Sequence, residues 1–318
     1  MSKRKVFITD YSFAHLDPER SVLEPIGCTI DHAQCKTAAD VIERAGDAEV
    51  LMVQWAPITE QVLAALPNCK LVVRYGIGVD NVDLSAAKAR GVAVCNVPDY
   101  SIDEVADHAV STAVALGRQL MQLDKRLRSG VWKLAPITPM PAFRDMTFAV
   151  AGFCRIGRAV LDRARGFKFK LAGYDPFVSE ALFEAADVRK LSLEDLFQFA
   201  DILSLHLPLT AETKHLVNAD RLAAMKPTAV IVNTARGPLI DTNALCAALK
   251  AGTIGYAGLD VFETEPLAPD HPIRNCENSI FTSHVAWYSE RSLPQLQRMA
   301  AEEVARFLLN QPLKSRVI

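Results

Sequence analysis

The chain has 318 residues, of which 50% are hydrophobic and 23% charged. These values lie near the averages for globular proteins, so the composition excludes a disordered chain and a fibrous repeat. Lys plus Arg number 35 against 37 Asp plus Glu, with no run of like charge, so neither nucleic acid nor a membrane surface is expected as a partner. At roughly 150 residues per domain, the length predicts two domains. The partner is expected to be a small molecule.

The cysteines and the N-terminus bear on the cellular compartment. The seven cysteines include no Cys-x-x-Cys pair and no Cys/His cluster at metal-ligand spacing, so no metal is expected and a reducing compartment is favoured. The N-terminus runs directly into the strand-like segment Val6–Asp10, without the apolar core of a signal peptide. No apolar stretch reaches the roughly 20 residues that span a membrane. A cytoplasmic protein is therefore expected.

Short β-branched or apolar runs alternate with helical patterns along the chain, which is typical of βαβ units and parallel sheets. Four runs precede residue 99 and six follow residue 143, so each group is predicted to form its own doubly wound sheet. The predicted strands are Lys5–Thr9, Val50–Val53, Leu71–Val73, Val92–Cys95, Phe148–Ala151, Leu171–Tyr174, Ile202–His206, Ala229–Asn233, Tyr256–Asp260 and Ile280–Thr282.

The segment between the two groups of strands is predicted to form one long helix. Ser101-Ile-Asp-Glu104 fits a capping box. The apolar stripe that follows fits packing within one subunit and a subunit contact equally well. Its members are Val105, Ala109, Thr112, Leu116, Leu120, Leu123 and Leu127. The proline-rich segment Ala135–Pro141 is interpreted as a hinge-like loop.

The second group of strands opens with the pattern of a dinucleotide-binding unit. The strand Phe148–Ala151 leads into Gly152-Phe-Cys-Arg-Ile-Gly157 and then a helix, a turn that aims helix N-terminal amides at a pyrophosphate. Asp175 ends the next strand 18 residues after Gly157, where a carboxylate can bind a ribose diol. Pro176 and Phe177 follow, with no Arg or Lys to hold a 2′-phosphate. The cofactor is therefore predicted to be NAD rather than NADP.

The middle glycine of such a turn is replaced by Cys154. That glycine normally lets the backbone approach the pyrophosphate, so the cysteine is expected to displace the cofactor or the loop slightly. A tolerated small residue is the favoured interpretation. A functional thiol is the alternative, since a helix N-terminus stabilises a thiolate.

Three polar residues, Arg236, Glu265 and His284, each follow one of the last three predicted strands. Open α/β sheets bind ligands at this edge. Hydride addition to a carbonyl needs a cation for the substrate carboxylate, a general acid for the oxygen and a group that keeps the acid protonated near pH 7. Arg236, His284 and Glu265 supply these in turn, although a surface Arg–Glu pair and a packed histidine fit the same residues.

At these residues the sequence resembles the D-isomer-specific 2-hydroxyacid dehydrogenases. The resemblance spans about residues 70–290, whereas residues 1–65 match in pattern only. Besides the dinucleotide turn, the matching stretches are Arg74–Asp83, Leu205–Thr213, Val232–Asp241, Gly258–Pro266 and Thr282–Trp287.

The resemblance implies two α/β domains with doubly wound, Rossmann-like parallel sheets. A flavodoxin-like substrate domain would comprise residues 1–99 and 288–318, and the NAD-binding domain inserted into it would comprise residues 100–287. The implied activity is NAD-dependent hydride transfer between the nicotinamide and a small 2-oxo or D-2-hydroxy acid. A homodimer through the long helix and its flanking segments is implied as well.

The resemblance also implies roles for individual residues. Arg236, Glu265 and His284 become a catalytic triad, and the substrate carboxylate meets the backbone around Ile77 and Gly78. Arg74 and Trp287 are predicted as further substrate-binding residues. Cofactor contacts are implied for Gly152, Phe153, Cys154, Arg155, Ile156, Gly157, Asp175, Pro176, His206, Leu207, Pro208, Thr213, Thr234, Ala235 and Asp260.

Two alternative functions stay open. His284–Glu290 with Arg74 and Trp287 looks most like the C-terminal-binding proteins, which are NAD-dependent transcriptional corepressors, but the intact triad and the lack of a long polar tail favour an enzyme. Phosphoglycerate dehydrogenase is the alternative within the enzymes. It is less expected because Gln54-Trp55 stands where such members usually carry a second basic residue, and because no regulatory domain follows residue 318.

Overall fold

The computed structural model describes residues 4–133 and 139–318, and most of the predicted hinge-like loop falls outside them. The chain divides into two units. The first comprises Met1–Ser101 and Tyr288–Ile318, and the second comprises Ile102–Trp287.

The first unit is built on five parallel strands: β1 (Arg4–Ile8), β2 (Cys28–His32), β3 (Val50–Val53), β4 (Leu71–Arg74) and β5 (Ala93–Cys95). Their order in the sheet is β2-β1-β3-β4-β5. The strands β3 and β4 are buried along their whole length, as apolar runs in parallel sheets usually are.

Five helices accompany this sheet: α1 (Asp17–Leu23), α2 (Ala38–Ala45), α3 (Glu60–Ala65), α4 (Leu84–Ala89) and the C-terminal α12 (Ser292–Leu308). Thr37, Thr59 and Asp83 accept backbone N–H groups at the starts of α2, α3 and α4. Such caps satisfy amides that have no partner inside the helix.

A buried hydrogen-bond network ties α12 to the rest of the first unit. The Gln297 Nε2 donates to the Glu19 carboxylate at 3.0 Å, and the Tyr75 hydroxyl donates to it at 2.9 Å. Burial raises the pKa of Glu19, and these hydrogen bonds oppose the rise. The network joins α1, α12 and the end of β4, where Arg74 lies.

The second unit contains seven parallel strands: β6 (Thr147–Ala151), β7 (Lys170–Tyr174), β8 (Arg189–Lys190), β9 (Ile202–Leu205), β10 (Val230–Asn233), β11 (Tyr256–Leu259) and β12 (Ser279–Phe281). Their order is β12-β11-β10-β9-β6-β7-β8. The order reverses between β6 and β9, which gives the switch point at which doubly wound sheets bind ligands.

Helices cover both faces of the second sheet: α5 (Ile102–Gly117), α6 (Leu120–Arg128), α7 (Arg155–Gly166), α8 (Glu180–Ala185), α9 (Leu193–Phe199), α10 (Ala219–Ala224) and α11 (Thr242–Ala251). Along β6, Phe148 and Val150 pack with α5 and α7, whereas Ala149 and Ala151 pack with α9 and α11. This alternation follows from the two-residue period of a strand.

The prediction of one long helix is wrong, because two helices, α5 and α6, form there instead. Gln119 between them has φ 53°, in the left-handed region that a continuous helix excludes. Leu116 is fully buried, but Leu120 and Leu127 are about half exposed, so the core does not continue along α6. The Ser101 hydroxyl also has no hydrogen-bond partner within the described residues, so its half of the predicted capping box is absent.

All ten predicted strands are confirmed within one residue at each end, and both sheets are parallel as predicted. The two unpredicted strands, β2 and β8, lie at sheet edges. Strand β2 ends in the exposed polar pair Asp31 and His32, and β8 has only two residues. Neither has the buried apolar run that marks the central strands.

All seven cysteines are free thiols. In the described part of the chain, no group of three or more His, Cys, Asp or Glu side chains is placed to hold a metal ion. No described helix combines the length and apolar character needed to cross a membrane.

Candidate functional site

The turn between β6 and α7 contains two backbone contacts that exclude a side chain. A Cβ at Gly157 would lie 2.1 Å from the Gly152 carbonyl oxygen, and one at Gly152 would lie 2.5 Å from the His206 carbonyl oxygen. Gly152 also has φ 100°, which favours glycine. The two glycines therefore let the start of α7 pack against the ends of β6 and β9, which presents its first amides as an anion site.

Asp175 connects this turn to the end of β7. Its carboxylate accepts the Phe153 N–H and the Phe177 N–H, each at 3.0 Å. The Phe153 ring stacks on Phe183 at a centroid distance of 4.0 Å, which anchors the turn in the core. Asp175 keeps partial exposure, while Pro176 beside it is exposed. A carboxylate in this place fits a ribose diol.

The thiol of Cys154 turns away from the helix amides. Cys154 is exposed and is the N-cap residue of α7, but its side chain caps no amide. Its Sγ lies 3.5 Å from the His206 carbonyl oxygen. Next to it, Arg155 is exposed and Ile156 half-buried at the start of α7.

We expect Cys154→Gly to tighten NADH binding by about two- to tenfold, because removing the Cβ and the sulfur lets the backbone approach the pyrophosphate more closely and gain one hydrogen bond worth about 0.5–1.5 kcal/mol. Fluorescence titration of NADH against both proteins measures the change. Equal affinities would show that the turn accommodates the sulfur without cost. Bound NADH is also expected to protect this thiol from alkylation.

The loop after β9 carries the next predicted cofactor residues. The His206 imidazole is buried beside the Ser204 hydroxyl, with 2.9 Å between Nε2 and Oγ, and burial lowers its pKa to about 3. The ring is therefore neutral. The Thr213 hydroxyl donates to the Pro208 carbonyl at 2.7 Å and shapes the turn that follows half-buried Leu207.

The predicted catalytic residues Glu265 and His284 are in direct contact. Nδ1 of His284 lies 2.7 Å from Oε2 of Glu265, and Oε1 of Glu265 accepts the Phe262 N–H at 2.9 Å. Burial acts to raise the pKa of Glu265, but the hydrogen bond to His284, the charge of His284, the Phe262 N–H and, last, the charge of Arg236 together lower it. The three residues therefore interact at the carboxyl ends of β10, β11 and β12.

Two residues that the sequence analysis did not single out hold Arg236 in place. Asn233 is fully buried; its side chain donates to the Arg236 carbonyl at 2.8 Å and accepts the Ala235 N–H at 3.0 Å. At Gly237, a Cβ would lie 1.9 Å from the carbonyl carbon of Phe262. This close approach brings the loop after β10 against the loop after β11.

His284 is held by the buried residue Asp260. The His284 backbone has φ 56°, and its N–H donates to the Asp260 carbonyl at 2.7 Å. The Asp260 carboxylate accepts the Val285 and Ala286 N–H groups at 2.9 and 3.0 Å. The Trp287 indole donates to the His284 carbonyl at 2.8 Å. The contacts fix the loop on both sides of the imidazole.

Thr234, predicted near the nicotinamide, directly follows β10 and has a buried hydroxyl. That hydroxyl has no hydrogen-bond partner among the described residues. Since buried polar groups are normally paired, a polar group of a bound ligand fits this position.

A second histidine–glutamate pair lies nearby and was not predicted. Nε2 of His215 lies 2.9 Å from Oε2 of Glu263, whose other oxygen accepts the Thr242 N–H at 2.8 Å. Burial opposes the ionised form of Glu263, yet its hydrogen bonds lower its pKa. Because Glu263 also holds the start of α11, this pair supports the fold and serves as a matched control.

The predicted substrate residues Arg74, Ile77 and Gly78 lie in the first unit, at the end of β4 and on the loop after it. Arg74 is buried, and its guanidinium lies 5.3 Å from the centroid of the Trp55 ring. The Ile77 carbonyl accepts a hydrogen bond from the Asn96 side chain at 2.6 Å. Ile77 and Gly78 are half-buried.

Residues 110–286 match the family described as "D-isomer specific 2-hydroxyacid dehydrogenase, NAD binding domain". A glyoxylate reductase of Korarchaeum cryptofilum is 38% identical over 271 residues, which are 84% of this chain and 82% of the relative. A D-3-phosphoglycerate dehydrogenase of Mycobacterium tuberculosis is 40% identical over 260 residues, which are 81% of this chain and 48% of the relative. The chain thus spans about half the length of that relative.

A solved structure of D-lactate dehydrogenase from Aquifex aeolicus, complexed with NAD and lactic acid, is similar with a TM-score of 0.88. Its identity is 28%, with 98% of each chain covered. The chain belongs to the D-isomer-specific 2-hydroxyacid dehydrogenase family. It is an oxidoreductase with an NAD-binding domain, as predicted, and the turn after β6, Asp175 and the buried Thr234 hydroxyl fit that cofactor.

Proposed function

We propose that the chain reduces a small 2-oxo acid to the D-2-hydroxy acid with NADH, and catalyses the reverse oxidation. The proposal rests on the 2.7 Å contact between His284 and Glu265, together with the charge of Arg236, which acts on the same carboxylate. These residues form an acid, its charge partner and an anion-binding cation.

Bound NADH supplies the hydride. Glu265 accepts the Nδ1 proton of His284, so the other ring nitrogen, Nε2, carries the proton that passes to the substrate oxygen. The negative charge of Glu265 stabilises the imidazolium that this transfer requires. Arg236 binds the substrate carboxylate, since a guanidinium matches two carboxylate oxygens.

NAD is proposed over NADP on the charge of Asp175. Its carboxylate lies at the end of β7 with no basic side chain in the next two positions, so a 2′-phosphate would meet a negative charge. Comparing the KM values for NADH and NADPH tests this preference.

The substrate is proposed to be a 2-oxo acid with a long or aromatic side chain and without a phosphate group. The names of the relatives given above refer to glyoxylate, 3-phosphoglycerate and lactate, which share a carboxylate beside the reacting carbon. A phosphorylated substrate needs a further cation. Gln54 offers none because its amide is uncharged; the residue is also 2% exposed and hydrogen-bonded to Ser12. Arg74 keeps phosphoglycerate dehydrogenase as the second candidate.

We expect 4-carbon and aromatic 2-oxo acids to give higher kcat/KM than glyoxylate, and Trp287→Ala to remove that preference. The Trp287 ring is held beside His284 by its indole hydrogen bond, and an apolar wall favours a larger side chain by about 1–3 kcal/mol per group buried. Steady-state kinetics of both proteins measure the ranking. Glyoxylate as the preferred substrate, with the ranking unchanged in the variant, would overturn this prediction.

The predicted homodimer is supported by exposed apolar side chains on α6 and the segment after it. Leu120, Met121, Leu127 and Trp132 are 53%, 46%, 52% and 86% exposed. A large apolar surface on a single chain often marks a contact with a partner. Light scattering of the purified protein is expected to give twice the mass of the 34.8 kDa chain.

The proposed function is tested by mixing the purified protein with NADH and a panel of 2-oxo acids, one of them phosphorylated. We expect NADH absorbance to fall with the unphosphorylated acids. A rate found only with the phosphorylated acid would favour the second candidate. No turnover with any acid would contradict the proposal.

A further inference from the structure

A histidine on α5 reaches the loop that carries His284, although it is not one of the predicted site residues. Nε2 of His108 lies 3.0 Å from the Thr282 hydroxyl oxygen and 4.0 Å from Oδ1 of Asp260. The Thr282 hydroxyl in turn lies 2.5 Å from the same Asp260 oxygen. The side chains of His108, Thr282 and Asp260 therefore form a continuous chain within the second unit.

The reach of His108 depends on how closely α5 packs on the sheet. Thr112 lies one helical turn after His108, on the same face. A Cβ at Gly258 would lie 2.3 Å from the Thr112 Cγ2, so α5 contacts the β11 backbone directly. This places His108 against the carboxyl ends of β11 and β12.

The proton positions in this hydrogen-bond chain follow from the number of protons that each side chain can donate or accept. An ionised carboxylate only accepts hydrogen bonds, and a hydroxyl has one proton to donate. The Thr282 hydroxyl donates to Asp260 at 2.5 Å, so its oxygen is left to accept from His108 at 3.0 Å. His108 therefore carries a proton on Nε2.

Asp260 transmits this contact to the proposed general acid. Oδ1 accepts from Thr282 and from the Val285 N–H, and Oδ2 accepts the Ala286 N–H. The Asp260 carbonyl accepts the His284 N–H. With the carboxylate 1% exposed, these protein groups replace water as its partners, and its orientation determines where the His284 loop lies.

We propose that His108 is a positioning residue for catalysis. It holds His284 in position through Thr282 and Asp260. The proposal rests on the proposed function, in which His284 is the general acid. Misplacement of that imidazole would lower the rate of the chemical step more than substrate binding, because reaction depends steeply on the distance of the acid.

The test compares variants that remove the hydrogen bond with variants that keep it. His108→Leu and Thr282→Val remove it, while His108→Gln and Thr282→Ser keep a donor or a hydroxyl at the same place. We expect the first two to lower kcat by about 10- to 100-fold, with the KM for the 2-oxo acid within about threefold of wild type. The two conservative variants, H108Q and T282S, should keep kcat within about threefold of wild type.

The double variant His108→Leu/Thr282→Val is the decisive comparison. Both substitutions break the same hydrogen-bond chain, so we expect the kcat of the double variant to equal that of the slower single variant. Fold losses that multiply in the double variant would overturn the proposal. An unchanged kcat in H108L, or H108Q as slow as H108L, would overturn it as well. If H108L fails to fold, T282V against T282S and H108Q still decide.

A readout that does not depend on turnover separates this proposal from the proposed function. In spectra of the protein labelled with ¹⁵N-histidine, the His108 ring, assigned by its absence from H108Q, is expected to be protonated on Nε2. The resonance should shift in T282V. An unprotonated Nε2 on His108 would contradict the proposed hydrogen-bond chain even in an active enzyme. A wild-type protein without turnover would count against the proposed function alone.

Discussion

Replacing His284 with glutamine is expected to lower kcat for reduction of the 2-oxo acid by about 10²- to 10⁴-fold, the range typical of a general acid. Glutamine keeps the approximate size of the imidazole but cannot deliver a proton. The Thr234 hydroxyl and the turn after β6 are untouched, so NADH affinity should stay within about twofold. Steady-state kinetics and NADH titration measure both quantities.

His215→Gln is the matched control for this variant. It removes the imidazole of the other histidine–glutamate contact, in which Nε2 rather than Nδ1 lies 2.9 Å from the carboxylate oxygen. We expect it to lower thermal stability while kcat stays within about threefold of wild type. Equal losses of kcat in His284→Gln and His215→Gln would show that each substitution disturbs the surrounding loops. That result would contradict the proposed role of His284.

Glu265→Gln is expected to lower kcat by about 10- to 100-fold, because a hydrogen bond to a charged group is worth about 1.5–3 kcal/mol. It should also move the alkaline limb of the pH profile for reduction. His284 lowers the pKa of Glu265, and the coupling is mutual, so the carboxylate favours the imidazolium. Without this negative charge, the alkaline limb of the pH profile for reduction should move to lower pH.

The pH dependence of kcat for wild type, Glu265→Gln and Glu263→Gln measures this shift. Glu263 contacts His215 rather than His284, so its variant should keep the wild-type profile. A folded Glu265→Gln protein with an unchanged profile would show that the carboxylate does not govern the protonation of the acid.

The sequence is sufficient to predict the central strands and the place of Arg236, for a physical reason. A strand buried on both faces, such as β10, must be a largely apolar run, and Arg236, three residues after its end, must lie at the ligand-binding edge. The pairing of Glu265 with His284 depends more on the family resemblance, because the two residues are 19 positions apart and the segment between them carries no pattern that brings them together.

Other features depend on tertiary packing that the sequence does not display. The break at Gln119 follows from the end of the core beyond Leu116, while the apolar spacing continues through α6. His108 lies within a helical pattern in which a polar residue usually faces solvent. Its contact with Thr282 depends on how closely α5 approaches Gly258, a distance set by the fold.

In the proposed reaction, hydride passes between NADH and the 2-carbon of a 2-oxo acid, with His284 as the proton donor. Turnover with NADH deuterated on the transferred position, followed by mass spectrometry of the product, follows both steps. We predict one deuterium on the 2-carbon of a D-2-hydroxy acid for wild type, and a strongly reduced yield of the same labelled product for His284→Gln. An unlabelled product would contradict direct hydride transfer, and equal labelled yields from both proteins would contradict His284 as the proton donor.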